Sequence, residues 1–319
     1  MPTLNMADQM TALEIARRIN APDPCKIIEL LRLTNAMLID VPAYEANSGT
    51  INKSVQRVIK PMGEHRIYNR GVGKAATQTS TVEDRCAMLA EYSYVDADLV
   101  DQSGNKAALL MDESKAIIKG MGLTQANTLI HGDGDKDDEF AGLMSRRYKV
   151  DGVNTIDAGG TGSELTSIYL CAIDRDLFHL IYPKGSKSVG VEREDLGRQH
   201  IEDAEGKKYP AYVNYFTAGY GLTIKDPAAV KRICNIPKNM DEDKLVDLII
   251  ETSYKLPQGA STYAMYSNDS ILIKLDKSAR YKGNVVHTTQ DPWGEEIVNV
   301  RKIRCRQMDV ITNTEEQVA

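Results

Sequence analysis

Apolar residues recur at spacings of three, four and seven through the middle of the chain, at Ala107, Leu110, Met111, Ile117, Ile118, Met121 and Leu129. That spacing predicts one long amphipathic helix over 106–130, its stripe available to cover a sheet. Ser103-Gly104-Asn105 in front of it is a turn with a candidate helix cap, while Gly120 and Gly122 weaken its middle. A second helix is predicted over 241–253, where Leu245, Leu248, Ile249 and Ile250 follow an acidic start at Asp241 and Glu242. Most of the remaining apolar positions alternate or run together in short stretches. They predict strands at Cys86–Asp96, Ser167–Ile173 and the aromatic stretch Tyr209–Ile224, and at 261–266 and 269–275 on either side of Ser267-Asn268. Glu205-Gly206-Lys207 suits a hairpin turn, and 297–311 is a last extended, basic stretch before a polar tail. Helices and strands mix without a sustained βαβ repeat, so the fold class is α+β.

The first eighty residues differ from the rest. Residues 11–19 can form a short amphipathic helix that Pro22 and Pro24 stop, and a second apolar stretch runs from Ile27 to Ile39. Residues 1–49 therefore read as an arm whose apolar side chains need another surface. Thr50–Ile59 alternates imperfectly, and His65–Arg70 follows Pro61-Met62-Gly63; together they predict a long two-stranded hairpin within 50–80. Its apolar content is thin, and an isolated hairpin is marginal in water. Between 53 and 74 it carries Lys53, Arg57, Lys60, Arg66, Arg70 and Lys74 against Glu64 alone, with Tyr68 near the middle. Three readings suit such a segment: a solvated basic loop, a hairpin docking on an acidic surface of another subunit, or a nucleic-acid contact. No RNA- or DNA-reading motif accompanies it, which disfavours the third.

Composition narrows the classes. At 319 residues, 42% hydrophobic and 26% charged, the chain can bury substantial cores and is neither disordered nor collagen-like. A formal charge of −6 leaves room for local patches but argues against tight condensation of DNA. No apolar run approaches the roughly 20 residues of a membrane span. The start, Met1-Pro-Thr-Leu-Asn-Met-Ala-Asp, is unlike a signal peptide. Five cysteines at 25, 86, 171, 234 and 305 form no CxxC pair, and reducing surroundings are the simpler expectation.

Catalytic signals are weak. His131 and the acidic run Asp133-Gly134-Asp135-Lys136-Asp137-Asp138-Glu139 invite a divalent cation, and with it a soluble metal-dependent hydrolase. Counted from Asp133, however, the sixth position is Asp138 where an EF-hand wants Gly, and the twelfth is Met144, which has no carboxylate. A solvated acidic turn is the plainer expectation. Gly159-Gly160-Thr161-Gly162-Ser163 lacks the Lys-Ser/Thr of a P-loop and reads as a tight turn before a strand. The five histidines form no HExxH and no i,i+4 pair, and there is no GxSxG elbow. No catalytic residue, metal or cofactor is assigned. An arm, a polar hairpin with little core of its own and a long helix beside mixed sheet point towards repeated self-association.

Several landmarks, in order, carry a resemblance: Ile51 through Thr79 with Asn69-Arg70-Gly71-Val72; Phe140-Ala141-Gly142-Leu143; Asp157 through Ser163; Tyr182-Pro183-Lys184-Gly185-Ser186-Lys187; Glu194-Asp195-Leu196-Gly197; Asp203-Ala204-Glu205-Gly206; and Tyr254-Lys255-Leu256-Pro257. The chain resembles the major capsid proteins of tailed bacteriophages with the Hong Kong 97-type fold, in particular the subfamily of short-tailed phages such as epsilon-fifteen. The resemblance implies a shell subunit assembling through hexamers and pentamers around a double-stranded DNA genome. It implies an N-terminal arm at 1–49, an extended E-loop at 50–80 and a peripheral domain at 81–209 with its spine helix at 106–130. An axial domain at 210–290 and a C-terminal return to the peripheral domain at 291–319 complete it. Lys53, Arg57, Lys60, Arg66, Tyr68, Arg70 and Lys74 become intersubunit contact candidates. The implied partners are other copies of the chain, scaffolding, portal and cementing proteins, and packaged DNA held without sequence preference. The implied location is the virion, after assembly in the host bacterial cytoplasm. A noncovalent shell without a large cleaved scaffolding segment is expected. An encapsulin-like compartment shell is the alternative within the same architecture.

Overall fold

The computed structural model describes residues 35–59, 63–73, 78–186, 189–203, 205–281, 286–290 and 296–319. The helix expected at 11–19 lies outside the described residues. After a short helix α1 (Met37–Asp40) come β1 (Ala43–Glu45), β2 (Ile51–Ile59) and β3 (Gln78–Asp96), then α2 (Ala97–Gln102), α3 (Lys106–His131) and α4 (Leu143–Arg146). Strands β4 (Thr155–Asp157), β5 (Leu165–Ile173), β6 (Phe178–Tyr182), β7 (Glu192–Glu202), β8 (Lys208–Ile224) and β9 (Val230–Pro237) follow. The last elements are α5 (Glu242–Tyr254), β10 (Thr262–Ser267), α6 (Asp269–Tyr281), β11 (Val286–Gln290), β12 (Glu296–Val300) and β13 (Ile303–Gln307).

The strands join one hydrogen-bonded network in the order β11-β12-β13-β10-β5-β6-β8-β3-β2, with β1 on β6, β7 on β8 and β9 between β4 and β5. Strand β5 is buried at every position and is flanked by β9 and β10, both antiparallel. Such a strand reads as a continuous apolar run rather than an alternation. Helix α3 is the predicted long helix, capped by Asn105, whose side chain accepts from the Ala108 amide. It buries Ile118, Met121, Ala126, Leu129 and Ile130 in the core that also holds Phe216, Ala218 and Tyr220 of β8. Each such side chain contributes about 1.5–3 kcal/mol of burial if it is large and apolar. A satellite cluster of Val95, Val100, Leu109 and Leu110 seals the other end of the helix.

Two predicted strands are corrected. Residues 65–70 are not the return strand of the hairpin: they form the tip, with a turn in which the Arg70 amide donates to Ile67 and Asn69 is left-handed at φ 64°. The return strand is β3, paired Ile51↔Arg85 through Ile59↔Gln78. The short run Ile67-Tyr68 is apolar but has no partner strand. Residues 269–275 are helical, within α6. Ile271 and Leu275 are buried at i,i+4 while Ile273 between them is 52% exposed, so an alternation over three apolar residues concealed a helical period. Asn268 starts this helix by accepting from the Ile271 amide. The extended stretch at 297–311 is two strands, β12 and β13, reversing at Arg301 with φ 56°.

The polar tail is anchored. Arg232, fully buried on β9, donates to Glu315 at 2.8 Å and to Ser167 Oγ at 3.1 Å, and Ser167 also donates to Glu315. Asn235 exchanges hydrogen bonds with both backbone groups of Val318. The last residues thus close over β5 and β9. Strand β13 pairs in parallel with β10, and beyond it the Val310 carbonyl meets the His131 ring at the end of α3.

The hairpin arm is rooted beside His179 of β6. Asn52 donates to Thr223 and Gln56 donates to the carbonyl of Ile224, while Tyr44 meets the His179 ring edge-on at 5.1 Å. Burial, followed by the nearby Lys225 ammonium, pushes the His179 imidazole from 6.5 down to about 4.

Two outcomes follow from these buried groups. Replacing one member of a buried ion pair strands the other, so Glu315→Ala should cost about 3–5 kcal/mol in denaturant unfolding, whereas exposed Glu316→Ala should change stability by less than about 0.5 kcal/mol. The unfolded chain takes up a proton at His179 near pH 6.5 and the folded chain only near pH 4. Stability from this group is therefore intact above pH 6.5 and lost as pH falls towards 4. Melting temperatures across that window should fall less steeply in His179→Gln than in the parent.

Candidate functional site: a projecting basic arm

Strands β2 and β3 make the candidate interface by leaving the body of the molecule. Strand β3 is 19 residues long and changes partner midway: Gln78–Arg85 pairs with β2, and Cys86–Asp96 pairs with β8. The first half has no strand on its other side among the described residues and carries the tip at 63–73. At the tip Ile67 is 66% and Tyr68 95% exposed, with Val72 also exposed. Arg66 Nε donates to the Arg70 carbonyl at 3.0 Å, which fixes the turn and leaves both arginines on the surface.

The contact candidates occupy unequal positions. Arg66, Tyr68 and Arg70 come together at the tip. Lys53 is on β2, and its ammonium pairs with Glu83 directly across the ladder at 2.9 Å, so its charge is already matched within the arm. Lys60 and Lys74 lie outside the described residues, as does the side chain of Arg57.

Residues with no apparent role in the sequence hold the arm's root. Asp84 of β3, buried, receives Arg146 Nη2 at 2.7 Å, and Arg146 Nε donates to the Ala141 carbonyl. Arg146 sits in α4, just after the acidic run, so that run is a structural loop. The Asp133 amide donates to Glu139, Lys136 pairs with Glu139, and the His131 ring meets the Val310 carbonyl at 2.8 Å and Met144 Sδ at 3.1 Å. Gly142 is required there, because a Cβ would lie 2.6 Å from the Ile130 carbonyl oxygen. No cluster of three His, Cys, Asp or Glu suited to a metal occurs among the described residues. The only sequence signal for this role was the placement of Arg146 and Arg147 after a Gly-bounded loop, and charge alone could not identify Asp84 as the partner.

The other motifs are also braces. Gly159 and Gly162 have φ of 82° and 108°, and the Gly160 amide donates to the Asn235 carbonyl, whose oxygen would lie 2.4 Å from an added Cβ. The turn docks on β9 and holds no phosphate cradle. In the basic turn after β6, the Lys184 amide donates to Gly49 and the Gly185 amide to Glu45, tying that turn to the arm's root. A cleft of about 1120 Å³ runs beneath β2, lined by three cations (Lys53, Arg175 and Lys225) and three carboxylates (Glu45, Asp176 and Asp226), with Lys225 paired to Asp176 at 3.3 Å. The four described cysteines are unpaired thiols, and burial raises the pKa of each. No nucleophile with an activating base emerges from this set.

Comparison with known proteins agrees with the geometry. Residues 21–319 match the family model described as Major capsid protein GP7. The solved structure of the bacteriophage Epsilon15 capsid is similar over 99% of this chain and 99% of that one, at 28% identity and a TM-score of 0.69. The capsid of bacteriophage JBD30 shares the fold over 95% of this chain and 99% of that one, at 11% identity and a TM-score of 0.55. No curated protein matches. A shell-building role explains a basic arm whose tip exposes Ile67, Tyr68 and Val72. The chain belongs to the major capsid protein GP7 family, and it is a self-assembling subunit of the icosahedral virion shell of a tailed double-stranded DNA phage, with the Hong Kong 97-type fold, and not an enzyme.

Proposed function

We propose that this subunit assembles through hexamers and pentamers, and that the β2–β3 arm at 50–80 is an E-loop laid on an adjacent subunit. The observation that carries this reading is the arm itself: a two-stranded ribbon with no hydrophobic face of its own, ending in a tip whose Ile67, Tyr68 and Val72 are exposed. Residues 1–49 act as the N-terminal arm. Residues 81–209, with α3 as the spine, act as the peripheral domain, 210–290 as the axial domain, and 291–319 as the closing segment. The pairing of β3 with β8, from Cys86↔Gly221 to Asp96↔Ala211, means that the two domains share a sheet across the division at 210.

The contact candidates divide accordingly. Arg66, Tyr68 and Arg70 touch the neighbour, Arg57, Lys60 and Lys74 supply the positive field that orients the arm during encounter, and Lys53, paired with Glu83, stiffens the ribbon instead. With a formal charge of −6, the subunit contacts packaged double-stranded DNA weakly and without sequence preference. Scaffolding, portal and cementing proteins are its other partners, and assembly takes place in the host cytoplasm.

The test is removal of residues 53–74 with a short flexible replacement. The variant should keep its folded body, seen as an unchanged helical circular dichroism signal and cooperative melting, but lose nearly all closed particles by electron microscopy and particle-mass measurement. Normal shells formed at parental yield would sink the E-loop assignment.

A further inference from the structure

One face of the β3–β8–β7 sheet is left uncovered by the described residues. The register places Met88, Ala90, Tyr92 and Tyr94 of β3 on one side, opposite Gly219, Thr217, Tyr215 and Val213 of β8, because directly paired residues share a face. The other side, with Tyr220, Ala218 and Phe216, is the face that α3 covers. On the uncovered side Met88 is 68% and Tyr92 46% exposed. The tyrosines form a ladder across the two strands. Tyr92 lies 5.8 Å from Tyr94 in stacked orientation and 4.4 Å from Tyr215. Strand β7 continues the same face with Glu192 opposite Thr217 and Glu194 opposite Tyr215. The result is an aromatic and Met strip with a carboxylate rim.

The tip of the arm is its chemical complement, with exposed Ile67, Tyr68 and Val72 flanked by Arg66 and Arg70. The chain's own tip cannot reach the tyrosine end of the strip. From Gln78 to Tyr92 along β3 is fourteen residues, about 46 Å of strand. Even a fully extended chain from Gln78 back to Tyr68 spans at most about 35 Å. Only another copy can bring a tip to Tyr92 and Tyr215.

We infer that the Met88–Tyr92–Tyr215 strip, with Glu194 at its rim, is the surface that receives the 63–73 tip of a second copy of this chain. This rests on the E-loop reading above and adds the receiving residues. Apolar contact supplies most of the attachment, and arginine–carboxylate pairing at the rim fixes its direction and register. Tyr68 is suited to the ladder because an aromatic ring laid on other rings adds attraction beyond its buried area.

Two measurements test it on the full-length chain. Oxidation of Met88 by dilute peroxide, read by peptide mass spectrometry, should be about tenfold slower in closed shells than in unassembled subunits, as expected when a two-thirds exposed side chain becomes covered. Glu194→Arg alone and Arg70→Glu alone should each lower shell yield several-fold, and the double variant should recover it, since both charges are reversed together. Equal Met88 reactivity in shells and free subunits would overturn the proposal, as would single variants that assemble normally or a double variant no better than its parents. Protection of Met88 that appears only after another phage protein is added would assign the strip to that protein instead. If deletion of 53–74 abolishes assembly while Met88 in parental shells stays reactive, the E-loop reading stands and the receiving surface lies elsewhere. If that deletion is harmless, both readings fall.

Discussion

A strand that serves two masters governs this subunit. Strand β3 is continuous from Gln78 to Asp96, yet its first eight residues belong to the projecting arm and the rest to the body. A ribbon built this way cannot swing freely at its base, because bending it would break ladder hydrogen bonds at the changeover between Arg85 and Cys86. The backbone there is fully engaged: the Cys86 amide donates to Thr50, and Gly221 opposite leaves no room for a Cβ, which would lie 2.6 Å from the Arg85 carbonyl oxygen. The arm is therefore a cantilever whose orientation is set by the core, while its far end has no core of its own.

Charge is used differently at the two ends of that cantilever. At the root, the Asp84–Arg146 pair is buried and hydrogen-bonded, a geometry in which losing either partner is costly. At the other side of the body, Arg232 and Glu315 do the same for the chain's last residues. Burial makes these pairs demanding about partner and geometry. Along the arm the charges face water, where the Lys53–Glu83 pair is worth little to stability and solvent screens it. The same residue type thus locks the root when buried and paired, and faces water at the tip.

Legibility of the fold in the sequence followed the range of the interaction involved. Helix α3 was readable because its apolar stripe and Asn105 cap are local, and the same holds for the Glu205-Gly206 hairpin, where the Asp203 side chain accepts from the amides of Glu205 and Lys207. The arm was readable as an arm, and its basic charge was plain, but its return strand was misplaced. Pro61-Met62-Gly63 looked like the turn, and only the pairing of β2 with 78–85 shows that the whole of 60–77 separates the two strands. At 269–275, three apolar residues at alternate positions suit either period, and the burial of Ser278 one turn beyond Leu275, invisible to a hydrophobic scan, settles it as helix. Glu315 was indistinguishable from Glu316 beside it. Nothing local marks which of two neighbouring carboxylates will meet an arginine 83 residues away.

The receiving strip was illegible for a further reason. Met88, Tyr92 and Tyr94 alternate with Ala87, Leu89 and Ser93, so the strand reads as apolar on both faces, the pattern of a strand buried in a core. One face is indeed buried, under α3. The other is left open by the described residues, and a tyrosine ladder facing water carries a cost that association removes. The tip carries the same cost. The tip cannot relieve the tyrosine end of the strip within one chain, since the length of β3 from Gln78 to Tyr92 is more than the tip can reach back. A single covalent element, β3, thus holds two complementary apolar surfaces apart, and that separation favours contact between copies over closure of one copy on itself. Shell formation is then a consequence of strand length as much as of surface chemistry.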